Sequence, residues 1–122
     1  MPIIDQSDVI VADRVVLAVI DDHRAIFNVD VDRARKAKNE KRARALQNVQ
    51  AYDFLSEMTA DQRRELAISH IIKIAKEDDC EIEMGYRLNK VQENFLYDII
   101  DNSFKAKLTR LLEIKDKFEE NE

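Results

Sequence analysis

The side chains able to do chemistry in this sequence are one cysteine, two histidines, 25 carboxylates and 20 lysines and arginines. Cys80 lies in the run Glu77-Asp78-Asp79-Cys80-Glu81-Ile82-Glu83, with five acids in seven residues. Neighbouring carboxylates disfavour a thiolate, so Cys80 is a poor nucleophile. His23 and His70 are 47 residues apart and belong to no H-x-x-x-H or E-x-x-H spacing. His70 falls at the edge of an apolar helical arc and reads as a partly buried structural histidine. The acidic run lacks the spaced ligands and the glycine of a calcium loop, and reads as a solvated turn. Asp21/Asp22, Asp78/Asp79 and Glu81/Glu83 are carboxylate pairs. Among 25 acids such pairs arise by chance, and acid–base work needs an apolar cleft to split their proton affinities. Gly85 is the only glycine, which excludes glycine-rich phosphate loops. The expectation is a non-enzymatic protein with no catalytic residue, no metal and no cofactor.

One block stands apart. Residues 33–44 read RARKAKNEKRAR, seven basic groups against Glu40 alone. Residues 1–32 carry a net charge of −5 and residues 45–122 a net of −6, so the block is a positive island in an acidic chain. Its cations are Arg33, Arg35, Lys36, Lys38, Lys41, Arg42 and Arg44, and they are the candidate partner-binding residues. On a continuous helix they point nearly all around the axis, which predicts a projecting or exposed segment that cannot pack tightly on a core. Three readings remain open: a solvated helix paired with neighbouring acids, a contact for an acidic protein surface, or a contact for nucleic acid. No aromatic residue lies within 33–44, so base stacking is not indicated there.

The elements that would carry these residues divide unevenly between helix and strand signals. Residues 9–31 hold ten β-branched residues in 23, a strand-like composition. Phe27, Val29 and Val31 alternate with Asn28, Asp30 and Asp32, and Asp21-Asp22-His23-Arg24 suits a hairpin loop. The competing reading is a helix N-capped by Ser7, with Val9, Ala12, Val16, Val19 and His23 near one face. A helix is expected from about Asp32 to about Gln50. Thr59-Ala60-Asp61-Gln62 reads as a capping box opening a helix to about Glu77, with Ala67, Ile68, Ile71, Ile72, Ile74 and Ala75 on one arc. Ile82, Met84, Tyr86 and Leu88 alternate like a third strand over 81–87. Beyond Leu88 two apolar stripes appear: Leu88, Val91, Phe95 and Ile99, then Ile100, Phe104, Leu108, Leu111, Ile114 and Phe118. The rotation between them falls at Asp101-Asn102-Ser103 and predicts two helices or a sharp kink.

These signals predict an α+β fold, mostly helical, with a small antiparallel sheet from 9–20, 25–31 and 81–87 packed on helices. The alternative is an all-α helical bundle. At 14.3 kDa a single domain over 1–122 would bury roughly two-thirds of its surface, enough for a core without staples. The longest apolar run, Val15 to Ile20, falls far short of a membrane span. A single cysteine and no targeting pattern point to a reducing, cytoplasmic setting. The functional expectation is a small protein–protein interaction module, an assembly, adaptor or inhibitory accessory protein of the kind phages and mobile elements encode. The alternative is a nucleic-acid-binding accessory protein acting through 33–44. The Phe104/Leu111/Phe118 stripe is core or, alternatively, a face for homo-oligomers.

Overall fold

A computed structural model describes residues 6–77 and 93–121. Five α-helices account for nearly all of them: α1 (Gln6–Arg24), α2 (Val29–Lys36), α3 (Glu40–Glu57), α4 (Ala60–Glu77) and α5 (Glu93–Glu120). Among the described residues there is no strand, so the α+β fold with a small antiparallel sheet is replaced by its alternative, a helical bundle. The third strand read over 81–87, together with Cys80, lies outside the described residues.

The error over 9–31 has a packing cause. Ala12, Val15, Val16, Val19 and Ile20 are all buried, at spacings of three and four that make one helical face. The β-branched residues have low intrinsic helix preference, but burial of this face outweighs the few tenths of a kcal/mol per residue that propensity costs. Asp21 to Arg24 are the last turn of α1, not a hairpin loop. The alternation at 27–32 is a helix start. The Asn28 side chain accepts hydrogen bonds from the backbone N–H of Asp30 at 2.8 Å and of Val31 at 3.4 Å. Asp30 and Asp32 then face the positive end of the α2 dipole.

One core cluster joins α1 to α3, α4 and α5 through Val15, Val16, Val19, Ile20, Ala51, Leu55, Ala67, Ile71, Ile99, Ile100, Phe104 and Leu111. The capping box is present in full. The Thr59 N–H donates to Gln62 Oε1 at 2.9 Å, and the Gln62 N–H donates to Thr59 Oγ1 at 3.2 Å. Arg63 closes the preceding helix by donating to the carbonyls of Leu55 at 2.9 Å and Met58 at 2.8 Å.

The expected break at 101–103 is absent: α5 runs unbroken for 28 residues. Ile99 and Ile100, one from each stripe, are both buried, because α5 packs against neighbours on more than one side. Ser103 is accommodated mid-helix by a bond outward from its own helix, described below. No described helix is long and apolar enough to cross a membrane.

Candidate functional site

The basic island is not one helix. It is split by a tight turn into the end of α2 and the start of α3. The Asn39 N–H donates to the Ala34 carbonyl at 2.8 Å and the Lys38 N–H to the Arg35 carbonyl at 2.9 Å. This is the two-bond pattern that ends a helix on a left-handed residue, normally glycine. Here Lys38 takes that position, at φ 59°. Asn39 then starts α3, its side chain accepting from the Arg42 N–H at 3.1 Å. The expectation of a helix from Asp32 to Gln50 is corrected accordingly.

The split changes what the island can bury. Folded back as a helical hairpin, α2 and α3 meet through Val31, Ala34 and Ala43, all buried, with Leu46 partly buried beside them. Small alanines let the two backbones approach closely. The expectation that this stretch cannot pack tightly therefore fails on its spacers while holding for its cations, all seven of which are exposed.

Several of those cations meet acids of their own hairpin. Arg33 lies 3.8 Å from Asp30, Lys36 2.9 Å from Asp32, and Arg35 and Arg44 each 3.6 Å from Glu40. Arg35 also donates to Gln47 Oε1 at 3.0 Å. Arg42 stacks over the Phe118 ring at 5.3 Å, tying the hairpin to the end of α5. Lys38 and Lys41 make no ion pair among the described residues. Exposed pairs of this kind hold weakly. Seven cations against Asp30, Asp32 and Glu40 leave the hairpin 29–44 with a surplus of four positive charges. Arg33, Arg42, Asn39, Ala37, Leu46 and Phe118 line a cleft of about 410 Å³ between the hairpin and α5.

Sequence reasoning missed what lies at the other end of α2. Ile26 and Phe27 on the α1–α2 connection and Val29 at the start of α2, all read as strand residues, are exposed, Phe27 at 77%. That connection is held by α3 side chains. Gln50 Nε2 donates to the carbonyls of His23 at 2.8 Å and Ile26 at 2.9 Å, while Asn28 Nδ2 donates to Gln50 Oε1 at 2.8 Å. Gln47 Nε2 donates to the Arg24 carbonyl at 3.2 Å, and Arg24 Nε donates to Asn48 Oδ1 at 2.8 Å. The sequence signal for the connection was Asn28 followed by Asp30 and Asp32, a cap with acids in the first turn.

Both histidines have structural partners. His23 donates from Nδ1 to the Val19 carbonyl at 2.8 Å and packs against Phe54. His70 meets Asp22 at 2.8 Å, joining α4 to α1. Among the described residues no three or more His, Cys, Asp and Glu gather as a metal would require. One cluster has a nucleophile beside a base: Ser103, Asp13 and Lys107. Ser103 Oγ donates to Asp13 Oδ1 at 2.6 Å, and Lys107 Nζ donates to Asp13 Oδ1 and to Ser103 Oγ, each at 3.0 Å. The hydroxyl hydrogen bond from Ser103 holds the Asp13 carboxyl below its ordinary range, opposed by partial burial and helped by Lys107. The lysine donates to both partners, and the backbone N–H groups of the helix interior are already bonded within the helix, so they offer no oxyanion donors. The cluster ties α1 to α5.

Two further clamps hold the frame behind the hairpin. Arg64 makes a two-pronged bond with Asp101, joining α4 to α5, and lies over Tyr97 at 4.9 Å. Lys115 Nζ donates to Asp53 at 2.7 Å, joining α5 to α3. The stripe considered for homo-oligomers is used within the chain: Phe104 and Leu111 are in the core, and Phe118 sits under Arg42.

Comparison with protein-family models, with curated proteins and with solved structures finds no match for this chain.

Proposed function

We propose that this protein is a non-enzymatic protein–protein interaction module that binds an acidic partner through its α2–α3 hairpin. The observation carrying the reading is the hairpin itself: seven exposed cations on a folded helical pair, directly continuous with an exposed apolar connection. Charged rim and apolar centre side by side is the make-up of a protein interface. The rest of the chain is acidic, which opposes a long polyanion outside this one patch. A single cysteine suits a reducing, cytoplasmic setting. A second reading, nucleic-acid binding through 33–44, draws on one observation, the two lysines at the hairpin tip that no acid of the described chain engages.

Reversing Arg33, Lys36 and Lys41 to Glu tests both, and leaves the Arg35 and Arg42 contacts untouched. Stability should change little, since exposed substitutions usually stay within about ±0.5 kcal/mol each. The parent protein should retain discrete proteins from a nuclease-treated extract, and the triple variant should lose them. Binding of the parent to random-sequence duplex, with log K falling by about 0.9 per neutralised phosphate for each unit of log salt and abolished in the variant, would overturn the protein reading in favour of nucleic acid.

A further inference from the structure

The outer face of α2 has two ends of different character. Val29, Arg33 and Lys36 are spaced by four and three residues, so they form one exposed stripe. The opposite face, Val31 and Ala34, is buried against α3. At the N-terminal end of the stripe Val29 is joined by Ile26 and Phe27, so three of four consecutive residues are exposed apolar side chains. Single exposed apolar residues are ordinary, but a cluster marks a contact surface. This cluster is not a loose loop. The Gln47 and Gln50 side chains of α3 fix the backbone on its approach and Asn48 holds the Arg24 side chain, so Phe27 is held outward rather than left there by fraying. At the C-terminal end, Arg33 and Lys36 add cations whose own acids sit in exposed pairs, weak enough to exchange for a better one.

We propose that this face docks a short acidic segment of a partner protein, with one apolar side chain on Ile26, Phe27 and Val29 and carboxylates on Arg33 and Lys36. The inference rests on the reading of the hairpin as a protein-contact surface and adds the chemistry of the occupant. Charge decides the class: the hairpin carries a surplus of four positive charges, so its complement is acidic. Spacing decides the pattern. Arg33 and Lys36 lie roughly 6 Å and roughly 10 Å along the helix from Val29. An extended partner advances roughly 3.3 Å per residue, which puts its acids about two and three residues from the anchor.

The test is selection of a displayed library of random peptides on the whole protein. The expected consensus is an aromatic or aliphatic anchor with Asp or Glu about two and three positions away. Two double variants then divide the surface: Phe27→Ser with Val29→Ser, and Arg33→Glu with Lys36→Glu. Circular dichroism should show unchanged helicity in both, since all four positions are exposed. Each variant should weaken the selected peptides by about tenfold or more, the scale of losing one good interface contact. No enrichment, or a consensus without anchor or acids, overturns the inference. If the serine variant binds like the parent while the charge variant does not, the anchor is wrong and the protein-contact reading stands. If neither variant weakens binding, both fall. Reversible dimerisation of the parent, lost in the serine variant, would make a second copy the occupant and overturn the proposal.

Discussion

Asp13 shows how one exposed-looking acid becomes a structural part. Sequence inspection gave it no role; in the fold it accepts from both Ser103 and Lys107. The same bond explains why Ser103 does not break α5, because the hydroxyl turns away from its own helix. This pairing was illegible beforehand because it joins residues 90 apart in the chain. Its pH consequence has a definite sign. The bonds favour the ionised carboxylate, so the folded-state pKa lies below the unfolded value of about 3.9. The stabilisation is then complete above that unfolded value and fades as pH falls through the folded one. At neutral pH, Asp13→Asn should cost about 1 kcal/mol, a charge-assisted bond discounted for partial exposure. Thermal melts of parent and variant should draw together as pH falls through the folded-state pKa of Asp13, where both side chains become neutral. A gap of unchanged size there would show that the pairing does not depend on charge.

At the scale of elements, the legible helices were those whose ends carried their own chemistry. Thr59 and Gln62 announced α4, and its buried Ala67 and Ile71 followed from the 3.6-residue period. The α2–α3 turn was read through because Ala37-Lys38-Asn39 contains no glycine, and a lysine gives no warning of a left-handed backbone. Asn39 followed by Glu40 was the available signal, a cap and an acid in the first turn. α1 was misread for a different reason: branched side chains describe a local preference, and the buried face of α1 overrides it. The turn makes a clean test. A left-handed conformation costs a non-glycine residue roughly 1–2 kcal/mol, part of which a glycine returns through its looser unfolded state. Lys38→Gly should therefore raise stability by about 0.5–1 kcal/mol. Lys38→Val, with a branched Cβ at the same position, should lower it by about 1 kcal/mol or more. Urea midpoints moving together in one direction would mean that the turn relaxes around any residue.

For the whole molecule, the described chain has two apolar clusters of unequal rank. The larger draws on α1, α3, α4 and α5. The smaller, Val31, Ala34 and Ala43, joins α2 to α3 and shares no buried residue with the first. The seven cations were legible as an exposed block because charge cannot be buried unpaired. The alanines between them were not legible as an interface, since small residues carry little hydrophobic signal and their role depends on the chain doubling back. The two clusters should fail separately. Ile71 is 3% exposed in the larger one, and Ile71→Asp leaves an unpaired buried charge. That costs at least about 3 kcal/mol in a domain whose total stability is about 5–15 kcal/mol, so cooperative unfolding should follow. Ala43→Leu instead forces a larger side chain between α2 and α3, at about 1–3 kcal/mol. Because the larger cluster contains no residue of α2, the expected result is release of α2 with the other helices intact. Hydrogen exchange would show it directly: amides over 31–36 should lose protection while those of α1 and α4 keep theirs. Uniform loss of protection across all helices would mean that the hairpin and the bundle form one cooperative unit.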